Sequence, residues 1–293
     1  MELISRNRKY IFIGLFPAVA LYIIFVIYPI VRSFFYGFYE WNGLGEPIYI
    51  GLKNFQDILK DNIFWLSFKN NIFVVVASIL GQIPLGLFLA IVLNSKLKGA
   101  GFFRSVLFIP MILSTVVVGL LWSTLLNYQM GVVNYILQSL GLEKLALDWL
   151  GNPDIAMYTV CAVIIWQFFS LYMIIFLAAL QNIPNDILEA ANIDGANELR
   201  KFFSITLPML WPTVMTAVVL CISGSMRSFD LVYVMTQGGP ANATELMATY
   251  MYNKTFSVYK YGYGSAVSLV IFVISFGLIL ISQSLMRKKN SDR

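Results

Sequence analysis

Apolar side chains occur along this chain in long unbroken blocks rather than at every second or fourth position. Six blocks of 19 to 26 residues stand out, at 11–31, 71–93, 106–126, 155–180, 205–223 and 265–286. A bilayer span needs ~20 mostly apolar residues. Hydrocarbon offers no partner to backbone N–H and C=O groups, so each block must be a helix. The expected fold class is an all-α membrane protein with six transmembrane helices in a single domain over 1–293. Arg6, Arg8 and Lys9 precede the first block, as they would in a signal peptide. Its apolar region is too long, however, and no small-x-small site follows Tyr28-Pro29, so it reads as an uncleaved helix.

Composition agrees with lipid as the solvent. The 293 residues are 59% hydrophobic and 12% charged, with a mean hydropathy of +0.75; a soluble domain carries about 25% charged residues. Cys161 and Cys221 both lie inside apolar blocks and read as small buried hydrophobes, not as a disulfide or a metal site. The absence of histidine removes the commonest general base and metal ligand. The net charge of +5 invites a nucleic-acid reading, but the cations flank apolar blocks and form no basic stripe. They report topology instead. The termini with the 94–105 and 181–204 loops hold 12 Lys and Arg in 53 residues; the 32–70, 127–154 and 224–264 loops hold 8 in 108. That density ratio of about three to one puts both termini in the cytoplasm.

Pro17, Pro29, Pro84, Pro110 and Pro212 lie in or at the ends of the blocks, either as kinks where a path opens or as tolerated bends. The longest outer loop, 224–264, has a turn at Gln237-Gly238-Gly239-Pro240. The stretch 244–256 after it is rich in aromatics and Met, and is expected to be an interfacial helix, either a docking place for an outer partner or an aromatic belt.

The cytoplasmic loop 182–208 carries the most information. Pro184 suits a first helical turn, with Asp186 and Glu189 near that helix's positive end. Ile187, Leu188, Ala191 and Ile193 supply a short apolar face. Asp194-Gly195 stops the helix, because glycine takes the left-handed turn cheaply. A second helix over about 196–204 then runs into the fifth block. The result is a rigid helix–turn–helix on the cytoplasmic face, suited to docking and to acting as a lever. An amphipathic segment lying on the membrane is the alternative. Asp186, Glu189, Asp194 and Glu198 outnumber Arg200 and Lys201, which argues against an anionic leaflet as its partner.

Glu189-Ala190-Ala191, three residues, Gly195, nine residues, then Ile205-x-Leu207-Pro208 resembles the "EAA" loop of permease subunits in binding-protein-dependent ABC importers. Gly51-Leu-Lys-Asn-Phe55, Phe102-Phe103-Arg104 with Pro110 and Trp122, and Phe229 through Pro240 followed by Thr244 and Tyr250 resemble the carbohydrate branch, specifically its maltose or glycerol-3-phosphate "A/F" subunit. The chain lacks the two extra N-terminal helices and large outer domain of the maltose-type subunit, so it reads as a compact form. The resemblance implies a type I importer permease fold and a bacterial cytoplasmic (inner) membrane location. It also implies a heterodimer with a second, homologous permease, two ATPase subunits, and an extracytoplasmic solute-binding protein. Glu189, Ala190, Ala191, Asp194 and Gly195 would meet the ATPase. This chain has no Walker A motif, so no cofactor is expected on it, and ATP and Mg would sit on the partner ATPase.

A sugar needs neutral hydrogen-bonding groups and aromatic faces, and polar residues within spans are candidates because hydrocarbon penalises them. Trp122, Gln167, Ser170 and Thr115 meet that description, as do Cys221, Ser225 and Ser228. Positions matching the family's sugar contacts fall at or near Met111, Thr115, Gln167, Phe168, Leu171, Cys221, Ser225 and Ser228; helix–helix packing is the competing role for each. Arg227 and Asp230, at the outer end of the fifth span, read as an outer gate, a binding-protein contact or a local ion pair. An Arg227 facing the cavity would favour an anionic substrate such as glycerol-3-phosphate. A secondary transporter would have no need of the EAA loop and would usually carry intramembrane carboxylates, which spans one to four and six lack. A membrane enzyme lacks support, with no histidine, no clustered acids and no nucleophile motif.

Overall fold

The structure, a computed structural model, describes residues 8–95 and 98–291. Arg6, Lys96 and Arg293, three of the cations used for topology, lie outside the described residues. Two compact units divide the chain: one comprises 1–61 with 251–272, the other 62–250 with 273–293.

In the first unit, α1 (Arg8–Tyr22), a π-helical turn (Ile23–Ile27) and α2 (Tyr28–Tyr36) run on without a break, and the stretch Ile13–Tyr36 is long and apolar enough to cross a bilayer. The span therefore extends five residues past the expected end at 31. The widened turn directly precedes Tyr28-Pro29, where a proline ring would collide with the carbonyl one turn back. A two-stranded hairpin, β1 (Tyr39–Glu40) and β2 (Ile48–Tyr49), and the short helix α3 (Lys53–Lys60) follow. Asn54 is buried and donates to the carbonyls of Gly37 and Tyr39, both at 2.9 Å. Gly37 packs against the backbone of Ala266, where a Cβ would come within 3.2 Å.

The second unit is a helical bundle. Its helices are α4 (Asn62–Asn94), α5 (Ala100–Ile112), α6 (Thr115–Leu125), α7 (Val132–Ser139), α8 (Ala156–Gln181), α9 (Asn185–Ile193), α10 (Glu198–Lys201) and α11 (Leu207–Met226). The short helices α12 (Asp230–Thr236) and α13 (Met247–Tyr252) follow, and α14 (Tyr261–Ser291) passes from the first unit into the second. At 33 residues, α4 is about 50 Å long and starts nine residues before the expected span. The fourth span matches its expected bounds to one residue. The fifth is a continuous apolar helix over Glu198–Met226, and the sixth starts at Tyr261, four residues early.

The third block differs most. It is not one straight helix: α5 and α6 meet at 93° across a break of two residues. Leu113 and Ser114 have ψ of 142° and 133°, outside helical geometry. The packing decides whether this bent pair crosses the membrane or turns back. Phe73 meets Tyr158 at 5.2 Å, Gly81 faces Ile165, Gly86 faces Tyr172 and Met173, and Leu93 shares a core cluster with Leu180. Residue numbers rise together, so α4 and α8 run parallel. The chain leaves α4 at one end of that pair and enters α8 at the other, so α5 and α6 must carry it across. Arg104 donates to the Leu93 carbonyl at 2.7 Å at the start of this passage, and Leu126 lines a cavity with Ile155 at its finish. Together with five long candidate spans, the bent pair makes six crossings, as expected.

Of the stretch 244–256, expected at the surface, the first half, 244–250, is largely buried. Thr244, Glu245, Leu246, Met247, Thr249 and Tyr250 are all 4% exposed or less. Their apolar members pack into the bundle, and their polar groups find partners there.

Candidate functional site

Two arrangements stand out in the second unit, the cytoplasmic loop and a polar seam between the long helices.

In the loop, α9 opens after Pro184, which has an extended backbone (ψ 131°) and leaves Asp186 in the first turn. It ends in a Schellman motif. Gly195 takes φ 75°, its N–H donates to the Asn192 carbonyl at 3.1 Å, and the Ala196 N–H reaches the Ala191 carbonyl at 2.9 Å. The Asn197 side chain then caps α10 by accepting from the Arg200 N–H at 2.8 Å. Lys201 ties the two helices together by donating to Asn192 at 2.8 Å and pairing with Glu198. Of the five residues assigned to coupling, only Ala191 is buried; Glu189, Ala190, Asp194 and Gly195 face outward. Ile193, grouped by its sequence position with the inward apolar face, is instead 87% exposed and adds an apolar knob to the acidic surface. Ile187 is also exposed, at 40%.

The seam lies where α4, α8 and α11 meet. Gln82 and Ser78 on α4, Gln167, Ser170 and Tyr172 on α8, and Cys221 and Ser225 on α11 are each 6% exposed or less. Cys221 Sγ lies 3.9 Å from Gln82 Oε1. Gln167 Nε2 donates to Thr115 Oγ1 at 3.4 Å, directly beyond the break between α5 and α6. Gln167 Oε1 and Ser170 Oγ have no hydrogen-bond partner among the described residues. Trp122 meets Trp166 edge-on at 5.4 Å, and both line a cavity of about 400 Å³ with Trp149 and Tyr158. The Trp122 indole N–H is likewise buried without a partner.

The structure therefore places Gln167, Ser170, Cys221 and Ser225 in the buried seam, joins Thr115 to it through Gln167, and sets Trp122 at a separate apolar cavity with Trp166. Phe168 and Leu171 pack against the two core clusters as ordinary neighbours. Met111 is half-buried two residues before the break, and Ser228 is half-buried in the turn after α11. Arg227 is exposed and donates to the Ser223 carbonyl of its own helix at 3.3 Å. Asp230 starts α12 and is exposed, and no ion pair joins it to Arg227 among the described residues. Gln82, Ser78 and Asn71 escaped the sequence reading, although each is a polar residue in an apolar run and the rule that found Gln167 applies to them.

Six crossings, an exposed cytoplasmic helix–turn–helix and a buried polar seam fit a membrane transport component, and the family establishes one. A family model for the binding-protein-dependent transport system inner membrane component matches residues 82–288, and the chain belongs to that family. The multiple sugar-binding transport system permease protein MsmF of Streptococcus mutans is 33% identical over 270 residues, covering 92% of each chain. The trehalose/maltose transport system permease protein MalF of Thermococcus litoralis is 32% identical over 286 residues, covering 97% of this chain and 96% of that protein. The fold is the type I ABC importer permease fold. It superposes with a TM-score of 0.84 on a chain of a bacterial ABC transporter involved in the import of the acidic polysaccharide alginate, at 22% identity and 98% coverage of both chains. That transporter has also been solved with a periplasmic protein bound to an alginate pentasaccharide.

Proposed function

We propose that this chain is one of two membrane-spanning subunits of an ATP-driven importer that moves a di- or oligosaccharide handed over by an extracytoplasmic binding protein. The observation that carries this reading is the loop between α8 and α11. Its Schellman turn at Gly195 fixes the short helix α9 against the start of the fifth-span helix, and Glu189, Ala190, Ile193 and Asp194 face outward for a partner to grip. In this reading two ATPase subunits hold ATP and Mg, and this loop meets one of them, with Glu189 and Asp194 facing basic or hydrogen-bonding groups. A second, homologous permease completes the path in the bacterial cytoplasmic (inner) membrane.

The choice of sugar is supported by the relatives' named cargo and by the seam's chemistry. Gln167, Ser170 and Thr115 supply neutral donors and acceptors, and Trp122 and Trp166 supply indole surface lining a cavity on the same two helices. Such a site suits hydroxyls and the weakly apolar faces of sugar rings. Arg227 bonds back to its own helix, which weakens the case for an organic phosphate.

The test is to co-express this chain with its partner permease, ATPase and binding protein and reconstitute the complex in lipid nanodiscs. ATPase activity is then measured with the binding protein and a panel of maltose, trehalose, raffinose and longer oligosaccharides, with glycerol-3-phosphate alongside. Stimulation by one or more saccharides is expected, and its loss with Glu189→Lys. Stimulation by glycerol-3-phosphate alone would overturn the sugar reading, and unimpaired coupling in Glu189→Lys and Gly195→Val would overturn the loop's role.

A further inference from the structure

Asn70 and Asn71 stand side by side on α4, on the part of the helix that precedes or only begins the apolar block. Asn71 is wholly buried, and both ends of its amide are used. Its Nδ2 donates to the Ser225 carbonyl in the last turn of α11 at 3.3 Å, and its Oδ1 accepts the Met247 N–H at 2.8 Å. Met247 opens α13, and first-turn N–H groups of a helix have no acceptor of their own, so Asn71 caps that helix from 176 residues away. Asn70 Nδ2 donates to the carbonyls of Ala243 and Glu245, at 3.2 and 3.0 Å. The pair thus holds the returning limb of the outer loop 227–247. The other limb, α12, buries Leu231, Val232 and Met235. Val234 closes over Gly119 of α6, so tightly that a Cβ there would come within 2.9 Å of it. One loop is therefore fastened to α6, which carries Thr115, and through Asn71 to α11, which carries Cys221 and Ser225.

We propose that Asn71 is a positioning residue that joins the outer loop 227–247 to the end of α11, so that docking of the binding protein on that loop shifts Cys221 and Ser225 in the seam. This rests on the importer reading above. An asparagine is suited to the task because it donates to one element and accepts from another through a single rigid amide plane. In a buried setting, loss of either bond leaves a partner unsatisfied and the two elements free to separate.

The experiment uses the full complex in nanodiscs and the binding protein loaded with whichever panel saccharide most stimulates the wild type. Asn71→Ala is expected to keep basal ATPase within about twofold while lowering the stimulated-to-basal ratio about tenfold, the scale of one to two buried hydrogen bonds. Backbone amides at 225–228 and 243–247 should exchange with deuterium faster. Asn134→Ala is the control: that asparagine is equally buried, donates to Tyr128 and Leu147 and accepts from Trp149, yet does not bond α11. It should lower thermal stability and leave the ratio alone. An unchanged ratio in Asn71→Ala, or equal loss in both variants, overturns the proposal. Should Asn71→Ala fail to assemble, Asn71→Ser, which leaves a polar group in the buried site, carries the test. The serine hydroxyl is too short to reach both partners, so the stimulated-to-basal ratio must again fall and amides at 225–228 or 243–247 must exchange faster; an unchanged ratio overturns the proposal. A wild-type complex that no loaded binding protein stimulates counts against the importer reading instead, and exchange in the variants still reports on the clamp.

Discussion

At Gly86 the helix α4 packs directly against the backbone of α8, and replacing it with alanine tests how the bundle is held. An alanine Cβ at position 86 would lie 2.8 Å from the Met173 backbone nitrogen, 2.8 Å from Tyr172 Cβ and 3.1 Å from the Phe169 carbonyl. Ordinary contact begins near 3.4 Å, and two of these three atoms belong to a helix backbone that cannot rotate aside. The helices must part by roughly half an ångström or more along a seam that buries Ile83, Ala90, Met173 and Phe176. Overpacking of this kind costs about 1–3 kcal/mol. The substitution also brings helix propensity worth about 1 kcal/mol, so the cost is best read against a glycine where only propensity acts. Gly277 in α14 has nothing within 4 Å of its missing Cβ and supplies that reference. Gly81 falls between the two. Its Cβ would strike Ile165 Cδ1, the tip of a side chain that can change rotamer for about 0.5–1.5 kcal/mol. At about 2–4 °C per kcal/mol, Gly86→Ala should melt roughly 2–12 °C below Gly277→Ala, with Gly81→Ala intermediate. The assay is a thermal scan of tryptophan fluorescence on the detergent-solubilised chain. A Gly86→Ala variant as stable as Gly277→Ala, or less damaged than Gly81→Ala, would refute the close-approach argument.

Three further outcomes follow from the site. Gln167→Leu removes a buried carbonyl without a partner, so stability should hold or rise while saccharide uptake by reconstituted vesicles falls at least about tenfold; full uptake would contradict its role. Gly195→Val places a branched side chain at φ 75°, a strain of about 1–2 kcal/mol that should open the Schellman turn and abolish stimulated ATPase with little change in melting temperature. Ile193→Asp, at a residue 87% exposed, should leave the chain's melting unchanged yet weaken co-purification of the ATPase. Loss of the permease fold itself would instead place Ile193 in a packing role.

Long apolar blocks made most of the helices legible, because hydrocarbon leaves the backbone one choice. The same signal hid the bend, since hydropathy averaged over 106–126 is blind to two residues leaving the helix. Ser114-Thr115 ahead of an apolar run is an N-terminal signature, and it marks the break once sought. The helical turns of α4 before residue 71 were missed for another reason. Lys69, Asn70 and Asn71 look like the end of a loop when only hydropathy is counted, but tertiary partners keep them helical. The stretch 244–250 could not have been placed from sequence at all. It is buried because Asn70 and Asn71 receive its polar backbone, and nothing in a linear reading links positions 70 and 71 to 243–247. The cytoplasmic helix–turn–helix was legible because its determinants are local: a proline at one end, Asp194-Gly195 in the middle, an asparagine cap at the other. Ile193 was misplaced because one residue of drift around a short helix moves a side chain from the inner face to the outer.

The polar residues of the bundle have two competing explanations, glue between helices and lining for a path, and hydrogen-bond satisfaction separates them. Side-chain hydrogen bonds between membrane helices contribute on average about 0.6 kcal/mol each. Asn70, Asn71 and Asn134 spend their polar groups on protein partners, so none of them needs cargo to satisfy it. Gln167 and Ser170 cannot be explained that way. Leaving the Gln167 carbonyl and the Ser170 hydroxyl without partners costs about 1–3 kcal/mol apiece, more than the single long bond to Thr115 returns. Leucine and alanine would fit an apolar bundle better at both positions. Gln167 stands across from the break between α5 and α6, where it reaches Thr115, and Gln167 and Ser170 both belong to the polar seam that the proposed importer function assigns to cargo. Under the importer function proposed above, hydrogen bonding to a passing polyol would match these groups while cargo is present, and the Gln167→Leu uptake measurement decides it.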